Sequence, residues 1–407
     1  MLKRLLVLSL IPLLLSTAGC WNRLEPEHYA WLTWVGLDRA EGGKIQVTIA
    51  LTPPLSPVPT GAAPPETLLQ VSSASGDTVF DAVRNINVHL SKRLFWPYLQ
   101  AVIISEDLAR SGVNQYLDVI FRNVRVRKNA WVFITKGSTE PIFKIDPQIE
   151  KNPTMLVDSL VKSEQRFLGK SRVLRLKDFQ SELEGPGFDP VVSVLGIWDS
   201  EKKKLLATRE EVPAKSELAL DGSAVFRGDK LVGWLSPEES QAFLLAKGEM
   251  KTGLIVIPHP DKPKNRAGIE IVGNSAKLKA KLSGDQPQAQ ITIKVQGKLG
   301  DQWLNVPGLK AIDPNEDQEF YRKLGEGLEQ KIKSEVEELL AKAQTEFDAD
   351  ILGIGDYIMN RYPNDWENVA NNWRDYYRKT VFDIEVKVNI SSPNVMRSRP
   401  PDMDEHE

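Results

Sequence analysis

The residue with the most distinctive chemistry is Cys20, because it is the only cysteine among 407 residues. A single thiol excludes an intramolecular disulfide and a cysteine-based metal site. The small residues Ala18 and Gly19 stand directly before it, and a leucine-rich run at 5–15 precedes them. The position of this thiol, directly after an apolar run, therefore indicates its chemistry.

Residues 1–19 have the layout of an export signal. Lys3 and Arg4 form a positive start, and the apolar run at 5–15 is shorter than the roughly 20 residues that span a bilayer. Cleavage after Gly19 leaves Cys20 as the first residue, which is the arrangement of a bacterial lipobox, where the sulfur receives a diacylglycerol. Two acyl chains anchor a protein stably, whereas one holds it only marginally. We predict lipidation at Cys20; the alternative is an ordinary signal peptide followed by a free thiol.

No other set of residues has the spacing of a catalytic or metal site. The segment "DPNEDQ" at 313–318 resembles a calcium loop, but Gln318 and Leu324 stand where glycine and a bidentate glutamate are needed. Phosphate-loop and nucleophile-elbow motifs are absent from the sequence. We therefore expect no enzymatic activity, cofactor or metal, and the net charge of −3 gives no reason to expect nucleic acid as a partner. The histidines are far apart and match no ligand motif: His28, His89, His259 and His406.

Two further groups of residues each allow two interpretations. The run "RNVRVRK" at 122–128 suits an anionic lipid surface, where each basic residue contributes about 1 kcal/mol, or a solvated helix end before a strand. We favour the helix end. The aromatic residues near the C-terminus suit a ligand pocket or the inner face of a helix, and their helical spacing favours the helix. They are Trp366, Trp373, Tyr376 and Tyr377.

The elements that carry these residues fall into three blocks, and the composition, with 26% charged and 41% apolar residues, is that of a globular protein. The first block, 20–195, begins with two strands around a Gly-Gly turn at 42–43. A proline-rich stretch at 52–66 follows, which we interpret as a surface loop rather than a polyproline ligand. Helix, strand, helix and strand then alternate, with Asp77 as the expected N-cap of the first helix, so the block predicts a mixed α/β N-terminal domain.

The second block, 218–262, predicts a small middle α+β domain. A hairpin turns at 227–229, and a helix follows with Ser236 as N-cap, Pro237 at its first position and Glu239 completing a capping box. A short apolar strand, "TGLIVIP", ends the block.

The third block, 263–395, has the strongest periodicity. Apolar and polar residues alternate in three segments, which predicts an antiparallel sheet with one covered face. A further helix is expected over "NDWENVANNWRDYYRKT", and the tail at 396–407 is expected to be disordered. A long helix should cover the sheet through one apolar stripe: Leu328, Ile332, Val336, Leu340, Ala343 and Phe347. The fold class is therefore α+β, in three domains.

Several segments taken together resemble the Ger(x)C family of spore germination lipoproteins, the C subunits of spore germinant receptors. Asn22 stands where the family has an acidic residue, and Tyr98 where it often has histidine. The segments are "GCWNRLEPEHYAWLTWVGLD", "RLFWPYLQAVIISEDLARSG", "FRNVRVRKNAWVFITKG", "GSAVFRGDKLVGWLSPEESQAFLLAKGEMKTGLI" and "DILGIGDYIMNRYPNDWENVANNWRDYY".

The resemblance implies a lipid-anchored, non-enzymatic subunit on the outer face of the spore inner membrane. It would assemble with the two integral-membrane A and B subunits of a nutrient germinant receptor to trigger germination, and it carries over no catalytic residue. The alternative is a lipid-anchored protein that itself captures a small nutrient. Such a protein needs an inter-domain cleft of about 300–1,000 Å³ with polar groups. A docking subunit instead needs exposed apolar or flat patches.

Overall fold

A computed structural model describes residues 28–52, 70–147, 149–150, 152–199, 204–206, 216–284, 286–303 and 318–391. Helices flank two sheets, so the predicted α+β class is confirmed. Cys20, His406, most of the proline-rich stretch, the acidic segment up to 317 and the tail lie outside the described residues. Thr52, predicted to open the proline-rich loop, is the last residue of a strand.

The first sheet has a central path of eight strands, and its middle strands are parallel. The strands are β1 Tyr29–Arg39, β2 Ile45–Thr52, β3 Gln70–Gly76, β4 Arg93–Phe95, β5 Ala101–Ser105, β6 Trp131–Thr135, β7 Leu174–Arg175, β8 Val191–Asp199, β9 Lys204–Leu206, β10 Ser216–Arg227 and β11 Lys230–Leu235. Their order is β11-β10-β8-β6-β5-β1-β2-β3, with β4, β7 and β9 paired to β1, β6 and β8. β5 is buried along its whole length, as its uninterrupted apolar run predicts.

Helices cover both faces of the first sheet and enclose two apolar cores. They are α1 Val79–Asn87, α2 Glu106–Ser111, α3 Asn114–Arg122, α4 Glu140–Phe143, α5 Pro153–Ser163 and α6 Leu176–Glu184. The predicted cap of α1 is wrong by one residue. Thr78 is the extended residue before the helix, and its hydroxyl accepts a hydrogen bond from the Asp81 N–H at 3.1 Å, so Thr78 rather than Asp77 is the N-cap.

The second sheet contains β12 Gly253–His259, β13 Lys262–Ser283, β14 Gln286–Trp303 and β15 Val381–Ser391, in that order. The prediction that it is wholly antiparallel is wrong, because β15 runs parallel to β14. Alternating side chains show which face is covered but not the direction of a strand. The chain between β14 and β15 includes a long helix, and a crossover of this kind is what a parallel pair requires.

The helix of that crossover, α8 Gln318–Lys342, continues into a π-helical turn at Ala343–Phe347. All six residues of the predicted apolar stripe are buried in one core with the second sheet, which confirms the covering helix. The prediction of a single helix over 364–380 is wrong. A 3₁₀ turn divides this segment into α10 Pro363–Val369 and α11 Trp373–Tyr377, and α9 Ile354–Arg361 precedes them. Trp366, Trp373 and Tyr377 are buried, whereas Tyr376 is half-buried.

Residues 218–262 contribute to both sheets. The hairpin β10–β11 extends the first sheet, and β12 is the outer strand of the second. Between them lies α7 Pro237–Lys247, with the predicted Ser236–Glu239 capping box in place. The segment is therefore the covalent link between the sheets, while the proposed domain boundaries stay a prediction. None of the described helices is long and apolar enough to cross a membrane.

Candidate functional site at the junction of the two sheets

The two halves of the protein meet where the segment before β8 packs on the loop before α9. The Asp189 N–H donates to the Asp350 carbonyl at 2.9 Å, and the Asp350 N–H donates back to the Asp189 carboxylate at 2.8 Å. The Asp356 N–H donates to the Gly187 carbonyl at 2.9 Å. Three hydrogen bonds, two between backbone groups and one to a carboxylate, therefore join segments more than 150 residues apart.

This contact is possible because glycine faces glycine. A Cβ atom on Gly187 would lie 2.4 Å from the carbonyl carbon of Gly355 and 2.4 Å from the Asp356 nitrogen. A Cβ atom on Gly355 would in turn lie 2.7 Å from the Trp373 indole nitrogen. Any side chain at either position would push the backbones apart, so the glycines set the distance between the halves.

Asp350 lies at the centre of the junction and is fully buried within it. One carboxylate oxygen accepts from the N–H groups of Gly353 and Ile354, both at 2.9 Å. The other accepts from the Gly355 N–H at 2.8 Å and the Trp373 indole at 3.1 Å. Burial raises the pKa of Asp350 to about 7, although these N–H donors lower it. The carboxylate thus caps the first turn of α9 and ties α11 to it.

Two arginines, one in α11 and one directly after it, complete what we call the junction cluster: Asp189, Asp348, Asp350, Arg374 and Arg378. Arg374 lies 3.4 Å from the Asp189 carboxylate and donates to the Asp348 carbonyl at 2.8 Å. Arg378 donates twice to the Asp348 carboxylate, at 2.8 and 2.6 Å. An adjoining cleft of about 370 Å³ is lined by Asp189, Asp350, Trp373 and Tyr377. Trp373 and Tyr377 are therefore core residues that also form one wall of a cleft.

A second cleft, of about 520 Å³, lies between α7, β13 and the segment 164–173. The buried Arg172 forms its floor and makes paired hydrogen bonds at 2.8–2.9 Å to Glu182 and to Glu249. Burial by itself would lower the pKa of Arg172, but the two carboxylates raise it. Since Glu182 precedes β8 and Glu249 follows α7, this pair of bonds is a second connection across the junction.

Glu164 also lines the second cleft and is buried, with 2% of its surface exposed. One oxygen accepts from the N–H groups of Lys170 and Ser171, the latter at 2.6 Å, and the other has no hydrogen-bond partner in the structure. Burial raises its pKa from 4.5 to about 7, while these two N–H donors lower it. This carboxyl can therefore exchange a proton near neutral pH.

The described histidines singled out from the sequence lie elsewhere, whereas Trp373 and Tyr377 line the cleft at the junction. His28 and His89 are exposed, and His259 packs against Phe320 at 5.2 Å. In the described ranges, no three acidic, histidine or cysteine residues are close enough to hold a metal ion. Asp189, Asp350 and Glu164 were missed because no local pattern distinguishes a buried carboxylate from an exposed one. The sequence feature that could have indicated a close backbone contact near these aspartates is the presence of glycines beside them, Gly187, Gly353 and Gly355.

Comparison with known proteins covers both halves of this structure. Residues 22–197 match the spore germination protein N-terminal domain, and residues 221–394 match the C-terminal domain described as spore germination B3/GerAC like. The chain belongs to the GerAC, or Ger(x)C, family of spore germination proteins. The predicted family is thereby confirmed, and both segments of the junction lie inside the matched ranges.

Individual members of the family resemble the chain over nearly its whole length. Spore germination protein KC of Bacillus subtilis is 24% identical, over 96% of this chain and 95% of that protein. Spore germination protein B3 of the same organism is 22% identical, over 93% and 95%. The crystal structure of the GerBC protein superposes with a TM-score of 0.54 at 18% identity, covering 88% of this chain and 96% of that one. The GerBC likeness shows a shared fold.

Replacing Asp350 with alanine should strongly destabilise the GerAC-family chain. Three backbone N–H groups and the Trp373 indole would lose their acceptor inside the protein, and we expect the free energy of unfolding to fall by roughly 3 kcal/mol or more. Urea unfolding monitored by tryptophan fluorescence measures this loss. The matched control is Asp356→Ala in α9, the helix that Asp350 caps. Asp356 is only partly buried, so its loss should cost about 1 kcal/mol or less. Equal losses in both variants would contradict the role given to Asp350.

Stability should decrease with rising pH through Glu164. Between pH 4.5 and about 7 the folded state keeps a proton that the unfolded chain has released, so the free energy of unfolding falls as pH rises through this window. The slope from one group is at most about 1.4 kcal/mol per pH unit. Glu164→Gln keeps the acceptor oxygen but cannot titrate, so its slope should be shallower in urea unfolding across this window.

Asp350 titrates in both proteins, so the difference between the two slopes reports Glu164 alone. Glu184→Gln, on the exposed side of α6, is the control and should keep the slope of the unmodified protein. If the Glu164→Gln slope is also unchanged, the proton is not held at Glu164.

Proposed function

We propose that the protein is a lipid-anchored, non-enzymatic C subunit of a nutrient germinant receptor. It is held by diacylglyceryl Cys20 on the outer face of the spore inner membrane and assembles with two integral-membrane subunits to trigger germination. The observation that carries the proposal is the likeness to spore germination proteins KC and B3, which extends over nearly the full length of each. A likeness of this extent includes the junction as well as both sheets.

The anchor is supported by the sequence before the described residues. Cys20 follows Ala18 and Gly19 at the position that lipid attachment requires, and two acyl chains suffice for stable anchoring. Tyr29, where β1 begins, is nine residues further along the chain. The first sheet is consequently the half that the anchor holds near the bilayer.

Cys20→Ala should abolish lipid attachment. In a spore-forming host, we expect the unmodified tagged protein to incorporate labelled palmitate and to co-purify with two integral-membrane subunits. The Cys20→Ala protein should carry no label and support slower nutrient-triggered germination, because it lacks the only thiol that can receive the diacylglycerol. Ser16→Ala, outside the residues next to the cleavage site, is the control and should keep the label. A labelled Cys20→Ala protein, or one that supports germination at the normal rate, would contradict the proposal.

A second candidate function, capture of a small nutrient, is favoured by the cleft of about 520 Å³ between the halves. Its volume lies in the range of small-molecule sites, and charged and polar groups line it. If a nutrient binds there, Val272→Trp should fill the cleft and weaken binding at least about tenfold. Calorimetric titration with amino acids, sugars and nucleosides measures this. Val256→Trp, exposed on β12, is the control, and unchanged affinity in Val272→Trp would exclude this cleft.

A further inference from the structure

At one end of the first sheet, where its parallel strands have their N-termini, the chain enters the fold beside a cluster of basic residues. We call this end of the sheet its edge. The parallel strands β1, β4, β5 and β6 all have their N-terminal ends on this side: β4 begins level with the first residue of β1, and β5 and β6 begin level with Trp34, five residues further along β1. In their register Arg93 pairs with Tyr29, and Ala101 pairs with both Trp34 and Trp131. Residues 123–130 enter β6 there. The basic run found in the sequence therefore lies on the edge at which the chain arrives from Cys20.

The charge on this edge is mostly unneutralised. Arg122 pairs with Asp118 at 2.7 Å, and Lys128 bonds only the neutral amide of Gln180. Within the residues that the structure describes, Arg93, Arg125 and Arg127 form no ion pair, and all three are exposed. Beside this run, Arg175 donates to the Asn129 carbonyl and lies near the carboxylates of Asp158 and Asp178. An uncompensated positive surface of this kind attracts anionic surfaces within a Debye length.

Exposed apolar side chains lie among these charges. Val124 is 98% exposed and Val88, just after α1, is 78% exposed. A groove of about 720 Å³ between α1 and α3 opens nearby and is lined by Trp96, Arg125 and Phe80, the last of which is 55% exposed. Apolar side chains among basic ones are typical of proteins that lie on a membrane surface. There the apolar groups enter the headgroup layer and the charges contact anionic lipids.

The linker length places this edge within reach of the bilayer. Eight residues separate Cys20 from Tyr29, and a fully extended chain of that length spans at most about 30 Å. On this ground we propose that the edge contacts an anionic bilayer surface through what we call the basic edge: Arg93, Arg125, Arg127 and Lys128, with Val88 and Val124. The orientation rests on the proposed anchor at Cys20, whereas the affinity for lipid does not.

The test uses the mature chain from residue 21, which carries no lipid, in flotation with phosphatidylcholine vesicles with and without phosphatidylglycerol. We expect binding only when phosphatidylglycerol is present, and loss of binding at high salt. The triple variant Arg125→Glu, Arg127→Glu, Lys128→Glu should lower the partition coefficient at least about tenfold. Its thermal melting should match that of the unmodified chain, because all three side chains are exposed.

The matched control reverses three exposed lysines of the second sheet, Lys277, Lys279 and Lys281, which changes the net charge by the same amount. It should bind vesicles like the unmodified chain. Equal losses in both triple variants would overturn the proposal, since binding would then follow net charge alone. Binding that ignores phosphatidylglycerol would overturn it as well.

Two further outcomes distinguish lipid binding at this edge from protein docking there and from lipid attachment at Cys20. If the basic-edge variant floats normally but no longer co-purifies with integral-membrane proteins of spores, the edge docks a protein and the lipid proposal is wrong. If Cys20 proves unmodified while the vesicle assay gives the expected differences, the lipid-binding edge stands and the anchor fails. Val124→Ser should lower the binding that survives at intermediate salt, because it removes an inserted apolar group without changing the charge.

Discussion

The structure depends on a carboxylate that is buried where its two halves meet. A charged group removed from water is costly unless donors replace the lost hydration, and Asp350 receives four N–H donors in its place. Three of them are the backbone N–H groups of Gly353, the N-cap of α9, and of the first two residues of that helix, and the fourth is the indole N–H of Trp373 in α11. The carboxylate therefore fixes both helices relative to a loop whose backbone is bonded to Asp189 of the first half.

The backbones around Asp350 are in close contact, and there is no space for a side chain between Gly187 and Gly355. Arg172 adds a second connection, with one glutamate on each side of the junction and the planar guanidinium matching both. The relative position of the halves is therefore held by two sets of buried charges and by the close contact of the two glycines.

The two halves of the molecule also differ in the side chains that they expose. Near the entry of the chain, basic and apolar side chains suit a membrane surface, whereas the second sheet presents alternating charged residues around its long helix. Several pairs of opposite charge lie along that helix, such as Lys331 with Glu335 at 2.6 Å.

The sequence by itself determined those elements whose signals are local. The apolar stripe of α8, the capping box at Ser236, the fully apolar β5 and the set of family segments were all readable, because helix period, capping and strand burial are encoded within a few residues. Tertiary structure decided the direction of β15, the division of the last helix and the membership of β10–β12 in two different sheets. It also decided which carboxylates are buried: Asp350, Asp189 and Glu164 look like surface residues until segments far apart in the chain close over them. Burial and pairing across 150 residues are properties of the assembled fold, and no window of sequence contains them.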